Sequence, residues 1–294
     1  MTSIEMQMAP WLLPSMRRRY RGPAAPVADL RVFDAREMPA PLAAAHPTQA
    51  ITVGGVPGVL LHPERRERGV MVFLHGGAHV YGPGPGHWEW LCGMGDATGM
   101  AGLMLMYDRA PEARYPTSLD QVVAACDAIA GDGITGDRVL AGDSSGGGLA
   151  VAAAMRMRDE GRPLPRALVL SSPWLDLTMS NPGLIAARGA DVMLGTDRLG
   201  EHARAYAGDA DLRDPLVSPA FGDPTGLPPM LITAGGAELM CAEIRDWAAA
   251  CAAVGTPCEV IEMPGAIHDF AMARTLFPEA REVFPRMAAF AARQ

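Results

Sequence analysis

The amino-acid sequence predicts an α/β fold with a mainly parallel central sheet, and three observations support this class. Short unbroken apolar runs, typical of strands buried on both faces, alternate with longer segments of helical periodicity. Gly-rich turns follow several of these runs, at the place where parallel strands deliver functional loops. The length of 294 residues exceeds an average domain but suits one α/β core with insertions.

The predicted strands begin with residues 51–61, which read as an antiparallel pair about a Gly-rich turn. Later strands are the apolar runs at 70–74, 103–107, 138–141, 167–170, 230–233 and 260–261. Helices are predicted between and after them at 119–129, 149–158, 243–253 and 279–292. Strands that alternate with helices pair in parallel, so helices should cover both faces of the sheet. The active site is expected at the carboxyl ends of the strands.

Two stretches do not fit this alternation. Residues 1–45 and 174–215 carry helical patterns and many Pro and Gly residues but no strand. We predict that they form the two parts of a helical cap. Residues 46–173 and 216–294 are then the catalytic domain.

Composition and charge indicate a globular protein and argue against two classes of partner. Hydrophobic residues make up 49% of the chain and charged residues 20%, without a low-complexity tract. The net charge is -8 and the isoelectric point about 5.4. Binding to nucleic acid or to an anionic membrane surface rewards clustered Lys and Arg instead. We therefore expect neither nucleic acid nor a membrane as a partner.

The cysteines, the histidines and the first residues favour a reduced cytoplasmic protein. The five cysteines are odd in number and lack a Cys-x-x-Cys pair, so neither a disulfide framework nor a zinc site is expected. No metal-ligand spacing is found among His46, His62, His87 and His202, and no metal is predicted. Residues 1–21 place their basic cluster after the apolar residues, unlike a signal peptide. No segment is apolar for long enough to span a bilayer.

The run Gly142-Asp143-Ser144-Ser145-Gly146 carries the strongest chemical signal. A Gly-x-Ser-x-Gly turn between a strand and a helix exposes the serine hydroxyl, and the helix N-terminus points at the developing oxyanion. Ser144 is therefore the expected nucleophile, and the N–H of Ser145 is an expected oxyanion donor. The alternative is a Gly-rich turn that binds phosphate or only closes a loop. A P-loop is excluded because no Gly-Lys-Ser/Thr follows.

Six motifs occur in an order that is known from one family. They are His75-Gly76-Gly77-Ala78, Tyr107-Asp108-Arg109-Ala110-Pro111-Glu112, the run 142–147, Ser172-Pro173-Trp174-Leu175-Asp176-Leu177, Leu227-Pro228-Pro229 and Gly265-Ala266-Ile267-His268-Asp269-Phe270. Through them the chain resembles the hormone-sensitive-lipase-like family of bacterial esterases over most of its length. The resemblance implies an α/β-hydrolase fold with a helical cap, a small-molecule ester substrate and no cofactor. Dimers are frequent in the family, so a homodimer is also implied as an option.

The resemblance further implies that the N–H groups of Gly76 and Gly77 are the other oxyanion donors. Three departures from the family pattern stand out. Ala78 replaces the third glycine of its motif, and its methyl group can narrow the acyl site. Ser145 replaces the usual alanine and adds a hydroxyl near the chemistry. Asp108-Arg109 replaces Arg-Leu in a run that we interpret as structural.

His268 and Glu238 complete the predicted catalytic triad. His268 follows the last predicted strand, where a chain with the order serine, acid, histidine places its general base. Glu238 is the first carboxylate after the strand at 230–233, where many family members have Asp and some have Glu. Glu243 and Asp246 fall on the following helix and are expected to be solvated. Asp269 is not expected to turn back to the ring of its neighbour.

Four further residues receive a structural and a functional interpretation. His79, Tyr81 and Trp88 follow the oxyanion loop and are candidates for lining the substrate pocket. Aromatic residues near Gly-rich turns also serve as packing, so both interpretations stay open here. Glu112 is expected to be a buried ion partner, because it lies far along the chain from the triad.

These observations predict a serine carboxylesterase. Ser144 attacks the ester carbonyl, His268 moves the proton and Glu238 orients His268. By resemblance, the acyl chains are short to medium. A lactonase, a deacetylase or an amide hydrolase would use the same triad with another pocket. A non-catalytic binding protein is a further alternative, as in the plant gibberellin receptors that resemble the family, although these lack the histidine that is present here.

Overall fold

The structure is a computed structural model that describes residues 2–22, 26–131 and 137–293. Within these ranges the strands are β1 (Thr48–Val53), β2 (Val56–Leu61), β3 (Val70–Leu74), β4 (Ala101–Leu105), β5 (Arg138–Asp143), β6 (Ala167–Ser171), β7 (Met230–Gly235) and β8 (Cys258–Met263). They form one sheet in the order β1-β2-β4-β3-β5-β6-β7-β8. The β1–β2 and β2–β4 pairs are antiparallel, and the five other pairs are parallel. The predicted mainly parallel sheet is therefore confirmed.

Helices cover this sheet. Further helices form the segment before β1 and the segment between β6 and β7. In chain order the helices are α1 (Ile4–Gln7), α2 (Ala9–Leu12), α3 (Pro14–Arg21), α4 (Val27–Leu30), α5 (Ala40–Ala45), α6 (Pro85–Thr98), α7 (Thr117–Gly131), α8 (Ser144–Asp159), α9 (Pro182–Ala187), α10 (Thr196–Ala207), α11 (Cys241–Val254) and α12 (Pro278–Arg293). Short 3-10 turns occur at Arg31–Phe33, Pro63–Arg68, Pro219–Phe221 and Phe270–Met272. Strands β3, β4, β6 and β7 are buried at every residue, which requires cover on both faces of the sheet.

Several elements differ in their bounds from the sequence prediction, and β4 and α6 are the clearest cases. Strand β4 ends at Leu105, two residues before the predicted end, because Met106 and Tyr107 already belong to the loop that leaves the sheet. Helix α6 was not predicted. It contains glycines, which have low helix propensity, and buried residues that give no clear polar face.

The two strand-free segments contact each other. The guanidinium of Arg21 donates to the carbonyl oxygen of Leu194 at 3.1 Å and also to that of Asp191. The rings of Tyr20 and His202 meet edge to face, with their centroids 6.2 Å apart. Residue 1 and residues 23–25 of the predicted cap lie outside the described residues. The division into cap and catalytic domain stays a prediction.

A membrane span can be judged from helix length and hydropathy. In the part of the chain that the structure describes, no helix combines the length and the apolar character needed to cross a bilayer.

Candidate active site

Ser144 lies at the turn from β5 into α8, and the helix begins at this residue. Its φ of +48° is left-handed, which lifts a non-glycine side chain out of the regular path of the strand. A Cβ on Gly142 would come within 2.7 Å of the Gly146 backbone, and a Cβ on Gly146 within 2.0 Å of the Leu74 carbonyl oxygen. The close packing of strand, turn and helix therefore requires glycine on either side of Ser144.

The imidazole of His268 connects Ser144 with Glu238. Its Nδ1 lies 2.9 Å from Oε2 of Glu238, and its Nε2 lies 3.0 Å from Oγ of Ser144. Only 8% of Ser144 and 2% each of Glu238 and His268 are exposed. The structure thus brings together the three residues that the sequence assigned to a triad, with the hydrogen-bond reach that proton transfer requires.

The sheet explains why residues so far apart in sequence meet. Strands β5, β7 and β8 run parallel, so their carboxyl ends lie at one edge of the sheet. Ser144 follows β5, Glu238 follows β7 and His268 follows β8. The N–H of Gly235 donates to Oε1 of Glu238 at 3.1 Å, and this bond holds the carboxylate toward the ring.

Asp269 also contacts His268, and the sequence expectation for this residue was wrong. Its Oδ2 lies 3.1 Å from Nε2 of His268. The φ of +55° at Asp269 is left-handed and turns the side chain back toward the preceding residue. Oγ of Ser172 accepts the Asp269 N–H at 3.1 Å. Within the described residues, the buried Oδ1 of Asp269 has no hydrogen-bond partner.

The electrostatics of the site are those of one imidazole between two carboxylates. Burial by itself would lower the pKa of His268, but Asp269 and Glu238 outweigh burial and hold that pKa well above its ordinary value. Burial raises the pKa of Glu238 and raises the pKa of Asp269 to about 6. The protonation state of each of these three groups therefore depends on that of its neighbours.

The N–H of Gly76 is engaged inside the protein, which does not agree with its predicted role in the oxyanion hole. It donates to Oδ1 of Asp143 at 2.8 Å, while Oδ2 of Asp143 lies 3.0 Å from Nε2 of His87. Burial would raise the pKa of Asp143, but the charge of His87 and these hydrogen bonds keep it below its ordinary value. An ionised carboxylate is a strong acceptor, so the Gly76 N–H is not free for substrate.

The next residues of the loop keep free N–H groups. Gly77, Ala78 and His79 all have left-handed φ values, of +128°, +51° and +60°. The N–H of His79 donates to Oγ of Ser145 at 3.0 Å, so the added hydroxyl of Ser145 connects the loop to the first turn of α8. In the described part of the chain, the N–H groups of Gly77 and Ala78 have no protein acceptor. The sequence could not show which of these N–H groups are free, because that depends on backbone direction.

The three candidates for pocket lining are buried and pack against the strand-free segments. His79 stacks on Tyr206, with ring centroids 3.7 Å apart and planes 9° apart. The hydroxyl of Tyr81 lies 3.3 Å from Nε2 of His202. Nε1 of Trp88 donates to the carbonyl oxygen of Ala35 at 2.6 Å. These contacts give each residue a packing role, and contact with substrate stays a prediction.

Two carboxylates outside the triad lie in other surroundings than the sequence suggested. Glu243 is buried and accepts the N–H of Leu175 at 2.7 Å, so it is not solvated. Glu112 pairs with Arg31 at 2.7 Å as an ion partner, but 66% of its side chain is exposed. The sequence placed Glu243 on a helix but could not show that its side chain faces the backbone of Leu175.

A cavity of about 310 Å³ lies between the two strand-free segments. Its walls include Tyr20, Leu194 and Leu239, the residue next to Glu238. Burial, and to a smaller degree the charges of Asp143 and Asp269, raise the pKa of Tyr20. Tyr20 and Leu239 line this cavity, whereas Ser144, Glu238 and His268 do not.

Comparison with known proteins gives a consistent result. The sequence profile of a family described by the alpha/beta hydrolase fold matches residues 71–272. An acetyl-hydrolase of Streptomyces hygroscopicus is 37% identical over 245 residues, which cover 83% of this chain and 82% of the relative. An esterase of Acinetobacter venetianus is 29% identical over 244 residues, which cover 82% of this chain and 80% of the relative.

Solved structures extend the similarity to the whole chain. The crystal structure of an esterase from the bacterial hormone-sensitive lipase family has a TM-score of 0.89 at 28% identity and covers 100% of this chain and 99% of its own. The crystal structure of EstE5 soaked with p-nitrophenyl butyrate has a TM-score of 0.88 at 26% identity, with coverage of 99% and 98%. The resemblance predicted from the six motifs is thereby confirmed. The chain belongs to the α/β-hydrolase-fold family, among the bacterial esterases of the hormone-sensitive lipase type.

Proposed function

We propose that this esterase cleaves small-molecule esters of short to medium acyl chains through an acyl-enzyme on Ser144. The observation that supports this most is the position of the His268 ring, 3.0 Å from Oγ of Ser144 and 2.9 Å from Glu238. Nε2 accepts the hydroxyl proton as Oγ attacks the carbonyl carbon, and then protonates the leaving alcohol. A water molecule repeats the sequence and releases the acid. Glu238 keeps Nδ1 protonated and stabilises the imidazolium.

The oxyanion is bound, in this proposal, by the N–H groups of Gly77, Ala78 and Ser145. The first two are free in the loop, and the third lies at the N-terminus of α8, where the helix dipole also favours negative charge. Gly76 instead takes a positioning role, because its N–H anchors the loop to Asp143. No cofactor takes part in these steps.

One comparison supports short acyl groups. The relative from Streptomyces hygroscopicus is named an acetyl-hydrolase, and we propose acetyl esters as the first substrates to test. None of the triad residues lines the cavity of about 310 Å³ at Tyr20 and Leu239, so the volume of this cavity does not limit the acyl chain. We propose that the cap formed by residues 1–45 and 174–215 encloses this space. A homodimer and a cytoplasmic location stay predictions.

Replacement of the nucleophile tests this proposal. Ser144→Ala removes the attacking oxygen and should reduce hydrolysis of p-nitrophenyl acetate by at least about 10³-fold, with the circular dichroism spectrum unchanged. Ser180→Ala, at an exposed serine, is the matched control and should keep wild-type turnover. Undiminished turnover of Ser144→Ala would exclude Ser144 as the nucleophile.

A substrate panel separates the proposal from its alternatives. The panel contains alkyl esters of increasing acyl length, acetylated sugars, lactones and amides. A preference for lactones or amides would retain the triad but replace the proposed substrate class. An organophosphate should label Ser144 in the wild type, whereas a non-catalytic binding protein would stay unmodified.

A further inference from the structure

Two histidines and one aspartate meet at the end of the β1–β2 hairpin, outside the triad. His46 precedes β1 and His62 follows β2. Thr48 and Leu61 are register partners in the hairpin, so both histidines emerge at the same end. Asp96, in the last turn of α6, reaches this end from the neighbouring helix. Sequence spacing did not reveal the cluster, since the contacts depend on hairpin pairing and on a helix that was not predicted.

Each of the three residues directs one ligand atom at a common centre. Nδ1 of His46 lies 3.1 Å from Nε2 of His62. Oδ1 of Asp96 lies 3.8 Å from the first nitrogen and 3.6 Å from the second. Zn²⁺ bonds of about 2.0–2.1 Å in tetrahedral geometry separate neighbouring ligand atoms by about 3.3–3.5 Å. The observed separations bracket this value, so one ion can reach all three atoms without moving the backbone.

The second nitrogen of His62 has the partner that a metal-bound imidazole requires. Its Nδ1 lies 3.0 Å from Oε1 of Glu64. A carboxylate on one ring nitrogen holds the hydrogen there and leaves the lone pair of the other nitrogen facing the centre. His62 is 5% exposed and sits in a left-handed conformation with φ of +52°, so its ring direction is fixed by the fold.

An arginine beside the cluster competes with a metal ion for Asp96. Nη1 of Arg65 lies 3.5 Å from Oδ1 of Asp96 and also donates to the Gly95 carbonyl oxygen at 3.0 Å. Its charge opposes a cation at this carboxylate. The Asp96 side chain is 52% exposed, so water can reach the open coordination positions. Nε of Arg65 also lies 3.7 Å from Oε1 of Glu64, so an ion must compete with this arginine at both carboxylates.

We propose that His46, His62 and Asp96 bind a divalent transition metal ion of the Zn²⁺ class, with water completing the coordination and Glu64 orienting His62. Two imidazoles and a carboxylate suit Zn²⁺, Co²⁺ or Ni²⁺ and do not suit Mg²⁺ or Ca²⁺, which prefer oxygen ligands. The ion joins the β1–β2 hairpin to the C-terminal end of α6. It therefore stabilises the folded chain when it binds.

The test is metal titration of the full chain in a buffer without chelators. Isothermal calorimetry with ZnCl₂ should show one saturable site in the wild type, and Zn²⁺ but not Mg²⁺ should raise the melting temperature. His46→Gln and Asp96→Asn each remove a ligand at the surface and should weaken binding by at least about tenfold. Asp29→Asn, at an exposed aspartate of α4, is the matched control and should bind like the wild type.

Two further measurements make the result specific. Arg65→Gln should tighten Zn²⁺ binding, because the competing charge at Asp96 is removed; a merely structural cluster gives no such opposite effect. Co²⁺ should give the absorption of nitrogen and oxygen ligation, without the intense near-ultraviolet band of a cysteine thiolate. Equal affinity of wild type, His46→Gln and Asp96→Asn, or a thiolate band, would overturn the proposal.

Discussion

Asp269 places a second carboxylate at the reaction centre. Its Oδ2 lies 3.1 Å from the imidazole nitrogen that also contacts Ser144. In the proposed mechanism His268 must be neutral to accept the proton of Ser144, yet both neighbouring carboxylates favour its charged form. The protonation state of this small cluster, and not that of His268 alone, therefore sets the pH at which the site can work.

Asp269→Asn should shift the acid limb of the pH profile. The amide keeps the size of the side chain but removes a negative charge that stabilises the imidazolium. The pKa of His268 should therefore fall, and kcat/KM for p-nitrophenyl acetate should persist to lower pH than in the wild type. A profile measured from pH 5 to 9 checks the direction, with Asp159→Asn at an exposed aspartate as control. An acid limb at the same pH in the wild type and in Asp269→Asn would contradict this prediction.

The proximity of site residues was predictable where a motif determines it and not where backbone direction does. Ser144, Glu238 and His268 follow from the order of strands and from one turn motif, and the structure brings them within hydrogen-bond reach. The engagement of Gly76 and the contact of Asp269 depend on φ angles and on the position of another chain segment. Neither can be read from residue types.

At the scale of elements, α11 supports the start of the segment inserted between β6 and β7. Oε1 of Glu243 accepts the N–H of Leu175 at 2.7 Å and that of Asp176 at 3.3 Å. The insertion begins at these residues, so one buried side chain of α11 satisfies two backbone donors where the chain leaves the sheet. Burial raises the pKa of Glu243 well above its ordinary value of 4.5.

Glu243→Gln should make the protein relatively more stable as the pH rises. Because the folded pKa is raised, the contribution of Glu243 to stability is complete below the unfolded pKa near 4.5 and is lost as the pH rises through the folded value. Glutamine keeps an oxygen acceptor and cannot ionise. The free energy of unfolding is measured by urea denaturation. The value for the variant minus the value for the wild type should therefore be larger at pH 8 than at pH 5. Glu282→Gln, exposed on α12, should show no such difference.

Element prediction located the buried strands, although the limits of β4 were shifted, and it failed for α6. The unbroken apolar run of β3 is bounded by polar residues and a Gly-Gly pair, so its limits were correct. Helix α6 packs within the molecule on more than one side, and a helix with such surroundings shows no amphipathic period. Its absence from the prediction also hid the cluster around Asp96.

At the scale of the whole molecule, an aspartate with a side chain that is only 5% exposed joins the N-terminal segment to the rest. Asp34 lies 2.7 Å from Arg19 and 2.7 Å from Arg109, and its Oδ2 accepts the Gly82 N–H at 3.0 Å. Arg109 belongs to the run that departs from the family pattern and was interpreted as structural, and this contact supports that interpretation. Through Gly82, the same carboxylate also contacts the loop that follows the proposed oxyanion donors.

Asp34→Ala should destabilise the folded chain by about 3–5 kcal/mol, because two largely buried arginines lose their counter-charge. The melting temperature should fall by several degrees. Asp29→Ala, also in the N-terminal region but exposed, should change it little. A melting temperature of Asp34→Ala equal to that of the wild type would show that water replaces the ion pairs without cost.

The tryptophan side chains differ strongly in burial, so intrinsic fluorescence can report on the folded structure. Trp88, Trp90, Trp174 and Trp247 are at most 2% exposed, whereas Trp11 is 72% exposed. The emission of the folded protein therefore contains a blue, shielded part from the core and a red, iodide-quenchable part from α2. Because Trp88 is hydrogen-bonded to Ala35, separation of the N-terminal segment would transfer intensity from the first part to the second. Fluorescence can thus follow movement of this segment without any added label.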